Sequence, residues 1–250
     1  MHTTFEKEPS PARHRKVRSF VRRPGRITRA QRQAIATDWR RFGVELEGHA
    51  LDLDAIFGRR APRYLEIGFG MGDGLLEMVS TNPQRDYLGV EVYEPGLGRL
   101  IHRLSQENLS NARVMRGDAQ DVLETCIAPH ALDGVLLYFP DPWPKKRHHK
   151  RRIVQPDFVS LVCERLRAGG RLELATDWED YAMHMLKVLE TEPRLHNLAG
   201  SGRFSPRPDH RPLTKFERRG QRLGHRIWDL SFCASSKKHS AIELQNIARR

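Results

Sequence analysis

The sequence predicts an α/β fold built on a doubly wound, mostly parallel sheet. Three observations carry that prediction. Strands and helices alternate from Arg63 onward, a glycine-rich turn joins the first of those strands to a helix, and acidic residues recur where strands end.

The first unit is RYLEIGFGMGDG, Arg63 to Gly74. Tyr64–Ile67 has the composition of a short buried strand and carries Glu66 near its end. Gly68, Gly70, Gly72 and Gly74 follow at every second position, and Leu75–Val79 then has helical character. Such a density of glycine costs chain entropy that a plain connector does not need, and it suits a sharp turn approached closely by a ligand. Strand, glycine-rich turn and helix form a nucleotide-binding arrangement, with helix N-terminal amides facing the ligand. The dinucleotide pattern G-x-G-x-x-G is not matched, and G-K-[ST] of a P-loop is absent. An acid two positions before the first glycine, then G-x-G-x-G, resembles the first motif of class I methyltransferases that use S-adenosylmethionine.

Further elements follow in order. Thr28 is placed to cap a helix running to about Arg41, with Ile35, Trp39 and Phe42 on one side. Tyr87–Val90 reads as a second strand ending at Glu91, and Pro95 suits the first turn of a helix bearing Leu97, Leu100, Ile101 and Leu104. Ala112–Met115 is a short third strand before Arg116-Gly117-Asp118, and Val122–Ile127 marks a helix. Gly134–Phe139 is almost wholly apolar, as a strand covered on both faces must be. Pro156 opens a helix through Leu166 that Gly169-Gly170 is expected to terminate. Leu172–Thr176 is a strand ending at Asp177, and a helix to about Leu189 follows. Residues 199–212 are rich in Gly, Pro and Ser and read as a long loop. Ile227–Phe232 alternates like a final strand. The chain therefore divides into a basic arm expected to be flexible (1–27), one globular domain (28–233) and a tail (234–250).

Composition narrows the partners. The 250 residues suffice for one core, with 38% hydrophobic and 30% charged side chains. A formal net charge of +12 and a pI near 10.1 favour a polyanion. Nine basic side chains and no acid lie between Arg13 and Arg32. Cys126, Cys163 and Cys233 are far apart and odd in number, which suggests neither a disulfide framework nor a zinc site. No apolar run approaches the ~18 residues of a membrane span, and the N-terminus lacks the apolar stretch of a secretory signal. A cytoplasmic protein without a membrane partner is expected, and nothing in the residues chooses between a monomer and a homodimer.

Glu66, Glu91, Asp118, Asp141 and Asp177 all close or follow expected strands, so one sheet edge should collect them. Carboxylates there suit hydroxyl and amino groups through charge-assisted bonds. The most informative stretch is YFPDPWPKKRHHKRR, Tyr138 to Arg152. Asp141 stands between Pro140 and Pro142, whose locked φ stiffens the turn. Trp143 offers a flat surface for a base. Lys145, Lys146, Arg147, Lys150, Arg151 and Arg152, with His148 and His149 between them, suit phosphates.

Together EIGFGMG, GVEV, GDAQD, FPDPWPKKRHHKRR, ATDWEDY and LTKFERRG resemble the bacterial tRNA (guanine-N7-)-methyltransferase family from about Val17 to Phe232. The resemblance implies a seven-stranded sheet of Rossmann-like class I methyltransferase type. It also implies methyl transfer from S-adenosylmethionine to N7 of a guanine in the tRNA variable loop. On that basis Glu66, Gly68, Gly70, Gly72, Glu91, Asp118 and Asp141 contact the cofactor, and Asp141 is also the catalytic residue. Lys145, Asp177, Thr214, Lys215, Phe216 and Glu217 meet the substrate, and Arg147, His148, His149, Lys150, Arg151 and Arg152 meet the RNA. Guanine N7 has an in-plane lone pair and no proton, so the chemistry asks for placement and electrostatics, not a strong base. A sulfonium is already a potent electrophile, so no metal is expected, and no His spacing suggests one. A nicotinamide-dependent oxidoreductase would need G-x-G-x-x-G, and a non-catalytic RNA-binding protein on this fold would not need the set of strand-end acids. A target nitrogen bearing a proton would call for an N-P-P-[YF] turn, where this chain has Pro140-Asp141-Pro142-Trp143.

Overall fold

The computed structural model describes residues 18–20, 25–213, 217, 224 and 226–235. Helix α1 (Arg29–Phe42) begins at a capping box: Thr28 Oγ1 accepts from the Gln31 amide at 3.2 Å, and Gln31 Oε1 accepts from the Thr28 amide at 2.8 Å. Then come β1 (Gly43–Val44), α2 (Leu53–Phe57), β2 (Arg63–Ile67), α3 (Asp73–Thr81), β3 (Asp86–Glu91), α4 (Glu94–Gln106) and β4 (Ala112–Arg116). The second half holds α5 (Ala119–Thr125), β5 (Leu132–Tyr138), a 3-10 helix (Lys146–Arg151), α6 (Pro156–Arg165), β6 (Leu166–Thr176), α7 (Glu179–Glu190), β7 (Leu195–Asn197) and β8 (Trp228–Ala234).

These strands form one sheet in the order β1-β4-β3-β2-β5-β6-β8-β7, parallel except for the antiparallel pairs β6–β8 and β8–β7. The doubly wound architecture is as expected, with eight strands where seven were implied. The pair Gly43–Val44 at one edge and the triplet Leu195–Asn197 at the other are too short to carry a readable alternation.

Side chains alternate across the sheet with a period of two, which splits the core into two layers. Leu65, Leu88, Val90, Val135 and Leu137 pack with α5, α6 and α7. Tyr87, Val114, Leu136 and Tyr138 pack with α1, α3 and α4. Chain order reverses between β2 and β5, and a crevice opens there beyond the strands' carboxyl ends, as the switch-point rule requires.

One expectation fails at α6. The helix stops at Arg165, and Gly169-Gly170 lie inside β6 instead of ending the helix. Strand pairing jumps from Leu132–Leu166 to Gly134–Arg171 across that segment. Gly169, at φ +80°, supplies the irregularity, so its role is a bulge.

At the crevice floor, the first turn of α4 lies so close to the glycine-rich turn that a β-carbon on Gly96 would collide with the Gly70 carbonyl. Neither side of that contact is a flexible side chain. Gly96→Ala should therefore destabilise the protein by about 1–3 kcal/mol, the range for overpacking, measured as a lowered urea midpoint. A wild-type midpoint would mean the two turns separate freely.

Candidate active site and nucleic-acid interface

The crevice has a volume of about 860 Å³, a size suited to a nucleoside-sized ligand. Gly68 and Gly70 line it from β2, Glu91 to Pro95 from the end of β3, Arg116 and Gly117 from β4, and Phe139 to Asp141 from β5. Gly72 belongs elsewhere: it caps α3 at φ +78°, and its α-carbon faces Leu100, so it shapes the turn without lining the crevice.

Glu91 organises this wall. Its Oε2 accepts from the Gly70 amide at 2.7 Å, and its Oε1 accepts from the Val92 and Tyr93 amides at 2.7 and 2.9 Å. Burial pushes its pKa up, the three amides pull against that, and Asp141 adds repulsion. Two carboxylate oxygens offer about four acceptor sites, so one remains on Oε2 beside the crevice. Glu66, one strand over, is 6% exposed, and its Oε2 has no hydrogen-bond partner. Burial first, then repulsion from Glu91, pushes its pKa up to about 8. A buried carboxyl oxygen lacking a donor, next to a glycine-lined crevice and a second carboxylate, fits a ligand rich in hydroxyl and amino groups. Asp118 plays a local part: it caps α5 by accepting from the Gln120 amide at 3.0 Å.

Asp141 is exposed in the crevice wall, between two residues with bulky side chains in left-handed backbone. Phe139 has φ +54° and Trp143 φ +46°. Each such residue costs on the order of 1–3 kcal/mol and persists only where its surroundings enforce it. Arg152 supplies part of that enforcement. Its Nε donates to the Pro142 carbonyl at 3.0 Å, its Nη2 pairs with Asp180 Oδ2 at 2.5 Å, and its guanidinium lies over Tyr181. At 2% exposure it is unavailable to RNA, which corrects its expected role. A cation can serve phosphate only where water also reaches it.

The other cations divide in the same way. Lys145, Lys146, Arg147 and Lys150 are exposed on and beside the 3-10 helix. His148 is half-buried, packed edge-on to Trp143, and its pKa is lowered by desolvation and by the cations around it. His149 is half-buried 3.8 Å from Asp180. Arg151 lies 4.1 Å over the Trp143 ring and donates to the carbonyls of Arg18 and Phe20, while Trp143 Nε1 donates to Ser19. One face of Trp143 is thus covered by a guanidinium, which corrects the expectation of an open stacking surface.

Asp177 is half-buried where β6 ends. Thr214, Lys215 and Phe216 lie outside the described residues. Glu217 is 1% exposed and doubly bonded to Arg211, so it does not face a substrate. Three features escaped the sequence reading. Ser19, Phe20, Gly25 and Ile27, assigned to the arm, stand in the crevice wall; Phe20 interrupting a basic run was the available signal. Trp178, 41% exposed, sits next to Asp177 at the same sheet edge. Arg211, in a stretch taken as loop, is fully buried, and no local pattern marks it.

Residues 60–230 match the family described as "Putative methyltransferase". A tRNA (guanine-N(7)-)-methyltransferase of Ectopseudomonas mendocina is 55% identical over 218 residues, covering 87% of this chain and 92% of that protein. Its namesake from Pseudomonas aeruginosa is 56% identical over 218 residues, covering 87% and 89%. Among solved structures, the 16S rRNA methyltransferase KamB is similar with a TM-score of 0.53 at 14% identity, covering 73% of this chain and 94% of that one, a likeness of fold.

The Glu66 carboxyl makes stability depend on pH in a defined direction. Between its unfolded pKa near 4.5 and its folded pKa near 8, the folded chain keeps a proton that the unfolded chain loses. Stability contributed here therefore falls as pH rises through that window, by up to about 5 kcal/mol. Denaturant midpoints at pH 5 and pH 8 should diverge less in Glu66→Gln than in wild type. Equal divergence in both would mean Glu66 ionises normally.

Proposed function

The chain belongs to the tRNA (guanine-N(7)-)-methyltransferase family, and on that premise we propose that it methylates N7 of a guanine in the tRNA variable loop, using S-adenosylmethionine held in the switch-point crevice. One observation carries the reading: Glu91 and Asp141 border that crevice, with Glu66 buried just before its Ile67-Gly68 wall, and the exposed cations Lys145, Lys146, Arg147 and Lys150 continue directly from the Asp141 turn. A ligand with hydroxyls and an amino group has acceptors waiting at Glu66 Oε2 and Glu91 Oε2. A polyanion has its counter-charge alongside.

The bound cofactor supplies a methyl carbon whose bond to sulfur breaks as N7 bonds to it, the sulfur keeping the electron pair and the purine taking the positive charge. The chain's task is to fix that line of atoms and to favour charge moving onto the base. Asp141 is suited to both. Its turn is rigid, it stands at the crevice wall, and a carboxylate accepts from the guanine N1–H and amino group while offsetting the developing cation. It takes no proton from N7. Glu91 ties the glycine-rich turn to the β3–α4 junction through three amides, and the unpartnered Glu66 Oε2 is assigned to the cofactor. Lys145, exposed beyond the Asp141 turn, and Asp177, after β6, are assigned to the substrate strand, and Lys146, Arg147 and Lys150 to phosphates.

Wild-type protein incubated with labelled adenosylmethionine and unmodified tRNA should yield N7-methylguanosine on nucleoside analysis; label in another nucleoside would sink the reading. Asp141→Asn keeps the shape of the turn and removes the charge. Single-turnover transfer at saturating tRNA and cofactor should slow by on the order of 10²–10³, with thermal stability near wild type. Raising the pH should not rescue it, and activity within a few-fold of wild type would move the search to Asp177.

The exposed cations are tested by salt. If they neutralise phosphates, replacing Lys146, Arg147 and Lys150 with Ala should reduce the log–log salt slope of tRNA affinity by about 2–3, at roughly 0.7–0.9 per lost contact. Cofactor affinity should stay unchanged. An unaltered slope would mark the cluster as solvated surface.

A further inference from the structure

Arg211 is the largest fully buried side chain among the described residues, and two carboxylates enclose it. Its Nη1 and Nη2 bond to Glu217 Oε2 and Oε1 at 2.6 and 2.9 Å. Its Nη2 and Nε reach Asp229 Oδ2 and Oδ1 at 3.2 and 2.7 Å. Burial works against the charge, but Glu217 and Asp229 outweigh it and hold the guanidinium's pKa above its ordinary value. Arg207 Nε adds a contact to Glu217 Oε1 at 3.2 Å.

What this locked plane faces is the start of the Asp141 turn. The Arg211 guanidinium carbon lies 5.9 Å from the Tyr138 ring centre and 5.7 Å from that of Phe139, within cation–π range of both. His210, the preceding residue, has Nε2 2.7 Å from Glu173 Oε2, which also accepts from the Tyr138 hydroxyl at 3.1 Å. The end of β5 is therefore met at its ring faces by Arg211 directly and at its Tyr138 hydroxyl by Glu173 of β6, which His210 also contacts. Phe139 is also the first residue of the turn with strained, left-handed backbone.

A buried ion network is weak evidence for stability, because desolvation cancels much of its attraction and apolar side chains often do as well. A strained turn, by contrast, needs surroundings that over-determine it. We propose that Arg211 is a positioning residue for methyl transfer. Clamped by Glu217 and Asp229, it forms the shelf that holds Phe139, and hence Asp141, in place. Glu217 is then the anchor of this shelf, not a contact to substrate. The proposal rests on the reading of Asp141 given above.

Two variants test it. The triple change Arg211→Met, Glu217→Gln and Asp229→Asn removes all three charges together and leaves none buried alone. Glu217→Gln alone loosens one side of the clamp while keeping its shape. In each, hydrogen exchange of the amides in residues 138–147 should speed up about tenfold. Single-turnover transfer should slow about 10–100-fold at saturating tRNA and cofactor, as misplacement by an ångström would cause. Apparent KM values for both substrates should stay within about threefold of wild type. Unchanged exchange in the turn, or a folded triple variant with a wild-type rate, would overturn the proposal. Failure of both variants to fold would assign the network to folding and overturn it equally. Absence of N7-methylguanosine from the wild-type control would instead refute the assigned reaction, leaving the exchange measurement to decide the role of Arg211.

Discussion

Everything at the crevice depends on one carboxylate satisfying three backbone amides. Glu91 holds Gly70, Val92 and Tyr93 at once, so the turn after β2 and the junction from β3 to α4 are one unit. Amides in such turns have no strand or helix partner, and leaving them dry would cost more than the bonds themselves contribute. The carboxylate removes that cost, but it must be buried to do so, and its charge then bears on Glu66 and Asp141. Electrostatic tension among these three acids is a consequence of how the fold closes its own loop.

Much of this was legible in the sequence, for reasons that can be named. Parallel strands buried on both faces are apolar throughout, so Gly134–Phe139 announced itself, and a capping box has fixed spacing, so Thr28 did too. Acids at strand ends fall on one edge because β2 to β6 run parallel, so their carboxyl ends share one side of the sheet. What was not legible is direction. In KKRHHKRR every Lys and Arg carries the same charge, yet Arg152 points inward to Pro142 and Asp180 while Lys150 stays in water. A 3-10 helix of six residues decides that, and composition carries no trace of its phase. Glu217 illustrates the same limit: its partners, Arg211 and Arg207, are six and ten positions away, and only the folded chain brings them together.

The basic character of the chain accordingly has two components. Some cations stand in water, where a polyanion could meet them, and others brace the molecule against the strain it stores around Asp141. Arg151 and Arg152 hold the far end of the turn, and Arg211 faces the near end. Guanidinium suits this second use because its planar fork bonds along its edge while its face packs on aromatic rings. Net charge therefore overstates the surface available to RNA.

The antiparallel strand β8 has a consequence for synthesis. It lies between β6 and β7, though it follows both in the chain, and its Asp229 closes the clamp on Arg211. On the ribosome, β1 to β6 emerge before β8 exists, so the parallel part of the sheet is synthesised whole while the clamp on Arg211 still lacks Asp229. The β7 strand pairs with β8 and with no other strand of the sheet, so its place too waits for the end of the described chain. Loss of the last strand in a truncated chain would therefore remove β8, unseat β7 and open the Arg211 network together.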